Sequence, residues 1–171
     1  MKKFLLLLFF SPLIALGDER NAVMGMWASD GSIFEIIEKQ GEFLGIVRVL
    51  KDPIYTMEEN PERAGEIKTD AENPDPALKA RPVVGISMFS EYQYKDRLWQ
   101  GKIYDPETGN TYNSRMEVDG DGRLRIRGYI GLPLFGRTAI FSPVSKCEPH
   151  IKEMLAMLKS DQCKTSILAG D

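Results

Sequence analysis

Between Val23 and Phe141 short apolar runs alternate with polar positions at a period of two, and turn residues punctuate them. The pattern predicts strands at Val23–Ala28, Ile33–Lys39, Phe43–Leu50, Val83–Glu91, Leu98–Tyr104, Asn110–Val118, Leu124–Ile130 and Gly136–Phe141. The separators carry turn chemistry: Asp30-Gly31, Gln40-Gly41, Asp105 to Gly109, and Asp119-Gly120-Asp121-Gly122. In Leu124-Arg125-Ile126-Arg127 the apolar side chains face one way and the arginines the other. Tyr112, Met116 and Val118 share a face opposite Asn113, Arg115 and Glu117, and Trp99, Gly101 and Ile103 alternate with Gln100 and Lys102. The second and third runs are apolar on both faces, as where a helix covers a sheet from outside.

Short loops join antiparallel neighbours, so successive hairpins predict an all-β, eight-stranded, antiparallel up-and-down barrel, a form that removes exposed sheet edges. One connection breaks the rhythm. Residues 51–81 are rich in Pro, Glu, Asp and Asn and too long for a passive hairpin loop; a lid, a flap or a partly disordered segment is expected there. After Phe141 the periodicity changes. Pro149 suits a first helical turn, and Ile151, Met154, Leu155 and Leu158 fall on one face at helical spacing, which predicts a C-terminal helix.

The first residues carry the marks of an export signal. Lys2 and Lys3 precede the apolar run Phe4 to Phe10, and Ala15-Leu16-Gly17 offers small residues for cleavage before Asp18. The apolar stretch is shorter than the roughly 20 residues a spanning helix needs, and Pro12 interrupts it. The expected organisation is a signal at 1–17, a barrel at 18–142 and a helix with its tail at 143–171. The mature protein is expected to be soluble, periplasmic or secreted, with no integral membrane segment. Loss of Lys2 and Lys3 takes the formal charge from −3 to about −5, which gives no electrostatic case for nucleic acid. Cys147 and Cys163 flank the predicted helix. In an oxidising compartment an intramolecular disulfide is favoured; an intermolecular bond or free thiols are the alternatives.

Four segments, in order and spread over most of the mature chain, resemble an uncharacterised family of small exported bacterial proteins with a lipocalin-like barrel. They are Gly25-x-Trp27 with Asp30-Gly31; Asn73-Pro74-Asp75-Pro76-Ala77-Leu78 with Arg81-Pro82 and Gly85; Trp99-x-Gly101-x-Ile103-Tyr104-Asp105-Pro106 with Gly109 and Tyr112; and Leu124-x-x-Arg127-Gly128-Tyr129-Ile130-Gly131 through Gly136-Arg137-Thr138. The resemblance implies the fold and export but no reaction. It also implies a structural pairing, in which Trp27 packs at the closed end beneath Arg137 from the last strand. The chain departs from the family at Pro53 to Thr69, which reads as an insertion, and in the tail after Phe141.

The inward-facing positions are the candidate ligand-binding set: Phe34, Ile36, Met88, Trp99, Ile103, Tyr112, Ser114, Met116, Leu124 and Ile126. Eight-stranded barrels are either packed solid or hold one small ligand. Ser114, Gly101 and Gly128 leave space among the large groups, which suits a small hydrophobic or amphipathic ligand such as a fatty acid. The competing reading is a filled barrel that acts through its surface as a cell-envelope interaction module, motivated by the acidic 51–81 segment and the stripe of Arg123, Arg125 and Arg127. Strand alternation alone also produces such a stripe on a solvated face. No catalytic set is predicted. His150 is the one histidine, and there is no nucleophile elbow and no Cys-x-x-Cys. No metal and no cofactor are called for: the Asp119–Gly122 segment lacks the further ligands of a calcium loop, and a hairpin turn explains it.

Overall fold

The computed structural model describes residues 16–160 and 163. Eight strands form one antiparallel sheet: β1 (Gly25–Ala28), β2 (Ser32–Lys39), β3 (Glu42–Leu50), β4 (Phe89–Lys95), β5 (Leu98–Asp105), β6 (Asn110–Val118), β7 (Leu124–Tyr129) and β8 (Arg137–Pro143). Their order in the sheet is β3-β2-β1-β8-β7-β6-β5-β4. A nearly closed up-and-down barrel results, as expected. β3 and β4 are the sheet's two edges, and the seam between them is stitched by the segment just before β4. There Val47 donates to the Ile86 carbonyl, Gly85 to Val47, and Met88 to Gly45. The barrel therefore has a floor, where the β2–β3, β4–β5 and β6–β7 hairpins turn, and a rim, where the β1–β2, β3–β4, β5–β6 and β7–β8 connections lie.

The main departure from the expected strands lies before β4. Val83 to Met88 was expected as strand, yet the regular strand begins at Phe89. Gly85 adopts a φ of 103°, and Ile46 pairs with Ser87 only as an isolated bridge. The β4–β5 register then shifts between Ser90 and Gln93, with Glu91 at a φ of 58°. This bulge resets the alternation, so Phe89 and Tyr92 both point inward although they are three residues apart.

Short α1 (Leu16–Asn21) closes the floor. Its Glu19 accepts from Tyr94 and Arg97 of the β4–β5 hairpin. Its Arg20 pairs with Glu38 and lies over the Phe43 ring at 5.0 Å, tying in the β2–β3 hairpin. The expected signal core falls on residues 1–15, outside the described residues; the expected junction at Gly17 and Asp18 lies within α1.

A second cluster lies outside the barrel wall. α2 (Pro149–Met157) buries Ile151, Met154 and Leu155 against Ala28, Ile33, Val49 and Val144, which explains why β2 and β3 are apolar on both faces. Leu158, expected on the same face, is 40% exposed because the helix has ended beside it. A disulfide joins Cys147 to Cys163 and straps α2 to the wall. No helix among the described residues is long and apolar enough to cross a membrane.

The strap closes a loop with a sequence separation of 16. Replacing both cysteines by serine is expected to cost about 3 kcal/mol through the freed unfolded chain. Thermal melts of the double variant should show a lower Tm with the strand signal in circular dichroism retained below it.

Candidate functional site

An eight-stranded barrel is either packed solid or holds one small ligand, so the filling of its lumen decides the matter. Phe34, Ile36, Trp99, Met116, Leu124 and Ile126 all face inward and are buried in one cluster with Val23, Trp27, Phe43, Phe89 and Tyr92. Two of the small residues that promised space, Gly101 and Ser114, are occupied. Tyr92 lies on Gly101, where an added Cβ would fall 2.7 Å from the Tyr92 Cα, and its hydroxyl bonds the Ser114 hydroxyl at 2.6 Å. Phe89 covers Gly45 in the same way, with 2.6 Å from a built Cβ to its ring. Phe34 packs edge-on against Phe89 and Phe141. The lower and middle lumen is thus a packed core. Burial pushes the Tyr92 hydroxyl well above the ordinary phenol range, partly opposed by its bond to Ser114, so it stays neutral. Met88, Ile103 and Tyr112, the remaining expected positions, lie nearer the rim and are half-buried. One loose end remains in the core: the Trp99 indole N–H is buried without a partner among the described residues.

The expected pairing of Trp27 with Arg137 does not form. Trp27 pairs with Pro143, six positions further along β8, while Arg137 pairs with Gly128 at the rim. Six residues of strand span about 20 Å. The Trp27 indole instead donates to the Val23 carbonyl at 2.8 Å, and it is Arg20 over Phe43 that supplies a cation over a ring at the floor. Sequence reasoning placed Arg137 on the correct strand but at the wrong end of it.

A buried carboxylate orders the long connection between β3 and β4. Asp70 is fully buried and accepts from the Tyr104 hydroxyl at 2.5 Å, the Asn73 amide at 2.7 Å, and Nε and Nη2 of Arg81 at 3.0 and 2.8 Å. The Asn73 Oδ1 accepts from the Asp75 amide, setting the turn through Pro74. The β5–β6 turn leans on the same knot: a Cβ at Gly109 would fall 1.9 Å from the Glu72 carbonyl oxygen, which only glycine allows. Burial alone would raise the Asp70 pKa, but the donors around it win and hold it below the ordinary carboxylate value. Burial, with Asp70 beside it, pushes the Tyr104 hydroxyl up to about 12. All of Asp70's partners are structural, so the knot is a clasp. Two of the sequence segments quoted above, Asn73 to Arg81 and Tyr104 to Gly109, meet around it. Sequence reasoning missed Asp70 because a lone Asp in an acidic loop carries no signal.

A ligand-sized open space lies on the outer wall. A groove of about 480 Å³ runs over β6, β7 and β8, lined by Leu98, Arg115, Glu117, Arg125, Arg127, Pro133, Leu134 and Thr138. Arg115 and Arg127 sit directly opposite each other on neighbouring strands, a like-charge arrangement that strand pairing disfavours. Arg125 faces Glu117 at 3.8 Å. Arg127 donates to the carbonyls of Pro133 and Leu134 and to the Thr138 hydroxyl, so it holds the β7–β8 loop as the groove's wall. Arg123, the third member of the expected stripe, is spent on Asp119 and Asp121 in its own hairpin. His150 lies at the start of α2, 3.8 Å from Glu148 and remote in the chain from these groups.

Barrel topology, the Gly-x-Trp on the first strand and a helix docked outside the wall make up a lipocalin-like fold. A solved structure of a protein from the human pathogen Helicobacter pylori, described as belonging to the lipocalin family, shares this fold. The TM-score is 0.59 at 22% identity, covering 80% of this chain and 97% of that one. The chain belongs to the family described as an uncharacterized protein conserved in bacteria (DUF2147), which matches residues 25–142. No curated protein matches the chain.

Two outcomes follow for the core and the clasp. Tyr92→Phe and Ser114→Ala should each cost about 1–2 kcal/mol by orphaning a buried hydroxyl, and the double variant less than their sum; urea melts of the cycle measure the coupling. The lowered pKa of Asp70 stabilises the fold above the unfolded-state value of about 3.9, and that contribution is lost as pH falls through the folded value. Asp70→Asn should therefore melt lower than the parent at pH 7, and the gap should narrow on acidification towards pH 2.

Proposed function

We propose that the protein is an exported, non-enzymatic binding protein for a small amphipathic molecule, seated in the outer groove with its anionic end among Arg115, Arg125 and Arg127. The observation that carries this reading is the facing pair Arg115 and Arg127 beside ligand-sized open space. A carboxylate or phosphate between two guanidiniums converts a repulsion into bidentate, charge-assisted hydrogen bonds. Leu98, Pro133 and Leu134 supply apolar contact for the remainder of the molecule. The volume falls within the range of about 300–1,000 Å³ that small-molecule sites occupy. The Cys147–Cys163 bond is in keeping with an oxidising compartment and hence with export.

A second reading keeps the ligand in the lumen as a fatty acid or similar chain. The unpartnered Trp99 indole favours it, because a buried donor calls for an acceptor. That ligand must displace Tyr92 from Gly101 or remain near the rim against Ile103 and Tyr112.

Native mass spectrometry with organic extraction, followed by titration with fluorescent fatty acids, tests both. The groove reading expects saturable binding that weakens about tenfold or more in Arg115→Ala/Arg125→Ala, the cost of a lost charge-assisted pair. Binding unchanged in that variant but lost in Trp99→Phe assigns the ligand to the lumen. A protein that is isolated empty and binds no fatty acid overturns both.

A further inference from the structure

The described residues include eleven exposed large hydrophobic side chains, and eight of them sit on the rim connections β3–β4 and β7–β8. The β7–β8 loop is the denser of the two. Ile130, Leu132, Leu134 and Phe135 are 76, 64, 78 and 76% exposed. They are not the side chains of a slack loop. Pro133–Phe135 forms a 3-10 turn, and Arg127 donates to the carbonyls of Pro133 and Leu134. A Cβ at Gly136 would fall 2.4 Å from the Gly128 carbonyl oxygen, so the loop lies tight against β7. The chain thus uses polar contacts to hold its apolar residues out in water, the opposite of what folding alone favours.

Charge points to what meets them. From Gly122 to Phe141 the sequence holds four arginines and no Asp or Glu, in a chain whose formal charge is −3. Arg123 is paired far off at the floor, but Arg127 and Arg137 flank the loop, and the exposed Arg137 side chain has no hydrogen bond or ion pair among the described residues. The β3–β4 connection shares the rim, yet exposes Glu58 and Glu62 and does not fit the same surface. Apolar side chains at a tip with cations behind them match the boundary between acyl chains and anionic headgroups.

We propose that the β7–β8 loop docks the barrel rim onto an anionic lipid bilayer. Leu132, Leu134 and Phe135 enter the acyl boundary, and Arg137 with Arg127 meets the headgroups. This does not require the outer groove to be occupied, but it would bring that groove, whose wall includes Leu134, to the membrane surface.

Co-sedimentation of the full chain with phosphatidylglycerol-containing vesicles tests it. The protein is expected to pellet with them and far less with pure phosphatidylcholine. Leu134→Ser/Phe135→Ser should lose about tenfold or more of the binding, since burial of apolar side chains is the larger contribution. Its Tm should stay near the parent's, because these side chains are exposed. Arg137→Glu should weaken binding to the anionic vesicles only. In Phe135→Trp the new indole should shift to the blue on vesicle addition; Trp27 and Trp99 are 5 and 3% exposed and contribute a constant background. No pelleting with anionic vesicles, or pelleting unchanged in the Leu134/Phe135 variant, overturns the proposal. So does a dimer of the free protein that dissociates in the same variant without any lipid binding, which assigns the loop to a second copy of the chain. Fatty-acid binding lost in the Arg115/Arg125 variant with vesicle binding retained separates this proposal from the groove.

Discussion

Tyr92 of β4 packs against Gly101 of β5 and bonds Ser114 of β6, the residue paired with that glycine, and the use of the remaining structure depends on that contact. A lipocalin-like wall encloses a space, and whether the space is core or container is set by what projects into it. Here the aromatic rings of Phe34, Phe89, Tyr92 and Trp99 fill it from β2, β4 and β5. The glycines beneath Phe89 and Tyr92 are seats for rings. A buried hydroxyl pair then fixes the arrangement, because either partner alone would be a desolvated, unbonded oxygen. With the lower and middle lumen filled, the proposed recognition surfaces are the outer groove and the rim.

The remainder of the molecule consists of devices that close the barrel. α1 bridges the floor hairpins through Glu19 and Arg20, and α2 covers the outer face of β1 to β3 under its disulfide. The Asp70 clasp folds the long β3–β4 connection onto the β5–β6 turn. A buried carboxylate is costly unless every lone pair is met, and the three side chains around Asp70 meet them. That connection was expected as a lid, a flap or a partly disordered stretch; bridges Ile54 to Ile67 and Thr69 to Pro82, and the clasp itself, give it defined internal structure and tie it to β5.

Most of the wall was legible from the chain. β6 follows its expected bounds to the residue, since Tyr112, Met116 and Val118 alternate cleanly with polar neighbours. β4 was misplaced because alternation assumes an unbroken period of two. Glu91, turned to a positive φ, inserts one residue, so Phe89 and Tyr92 share a side that counting by twos denies them. The same error made Ser114 and Gly101 look like room for a ligand. Arg137 was matched to Trp27 by its place on the last strand, but register is a property of pairing across strands, and β1 meets β8 only at Trp27 and Ala28.

By itself the sequence determined the barrel, the outward and inward faces of most strands, the outer helix and the favoured pairing of its cysteines. Those features follow from local periodicity and turn chemistry, which each segment carries alone. Tertiary structure decided that the lower and middle lumen is full, that Arg115 faces Arg127, that Asp70 is a clasp, and that Ile130 to Phe135 stands out from the rim. Each of these depends on which residues meet across distant strands. A bulge or a register shift of one residue changes those meetings while leaving the local pattern almost untouched.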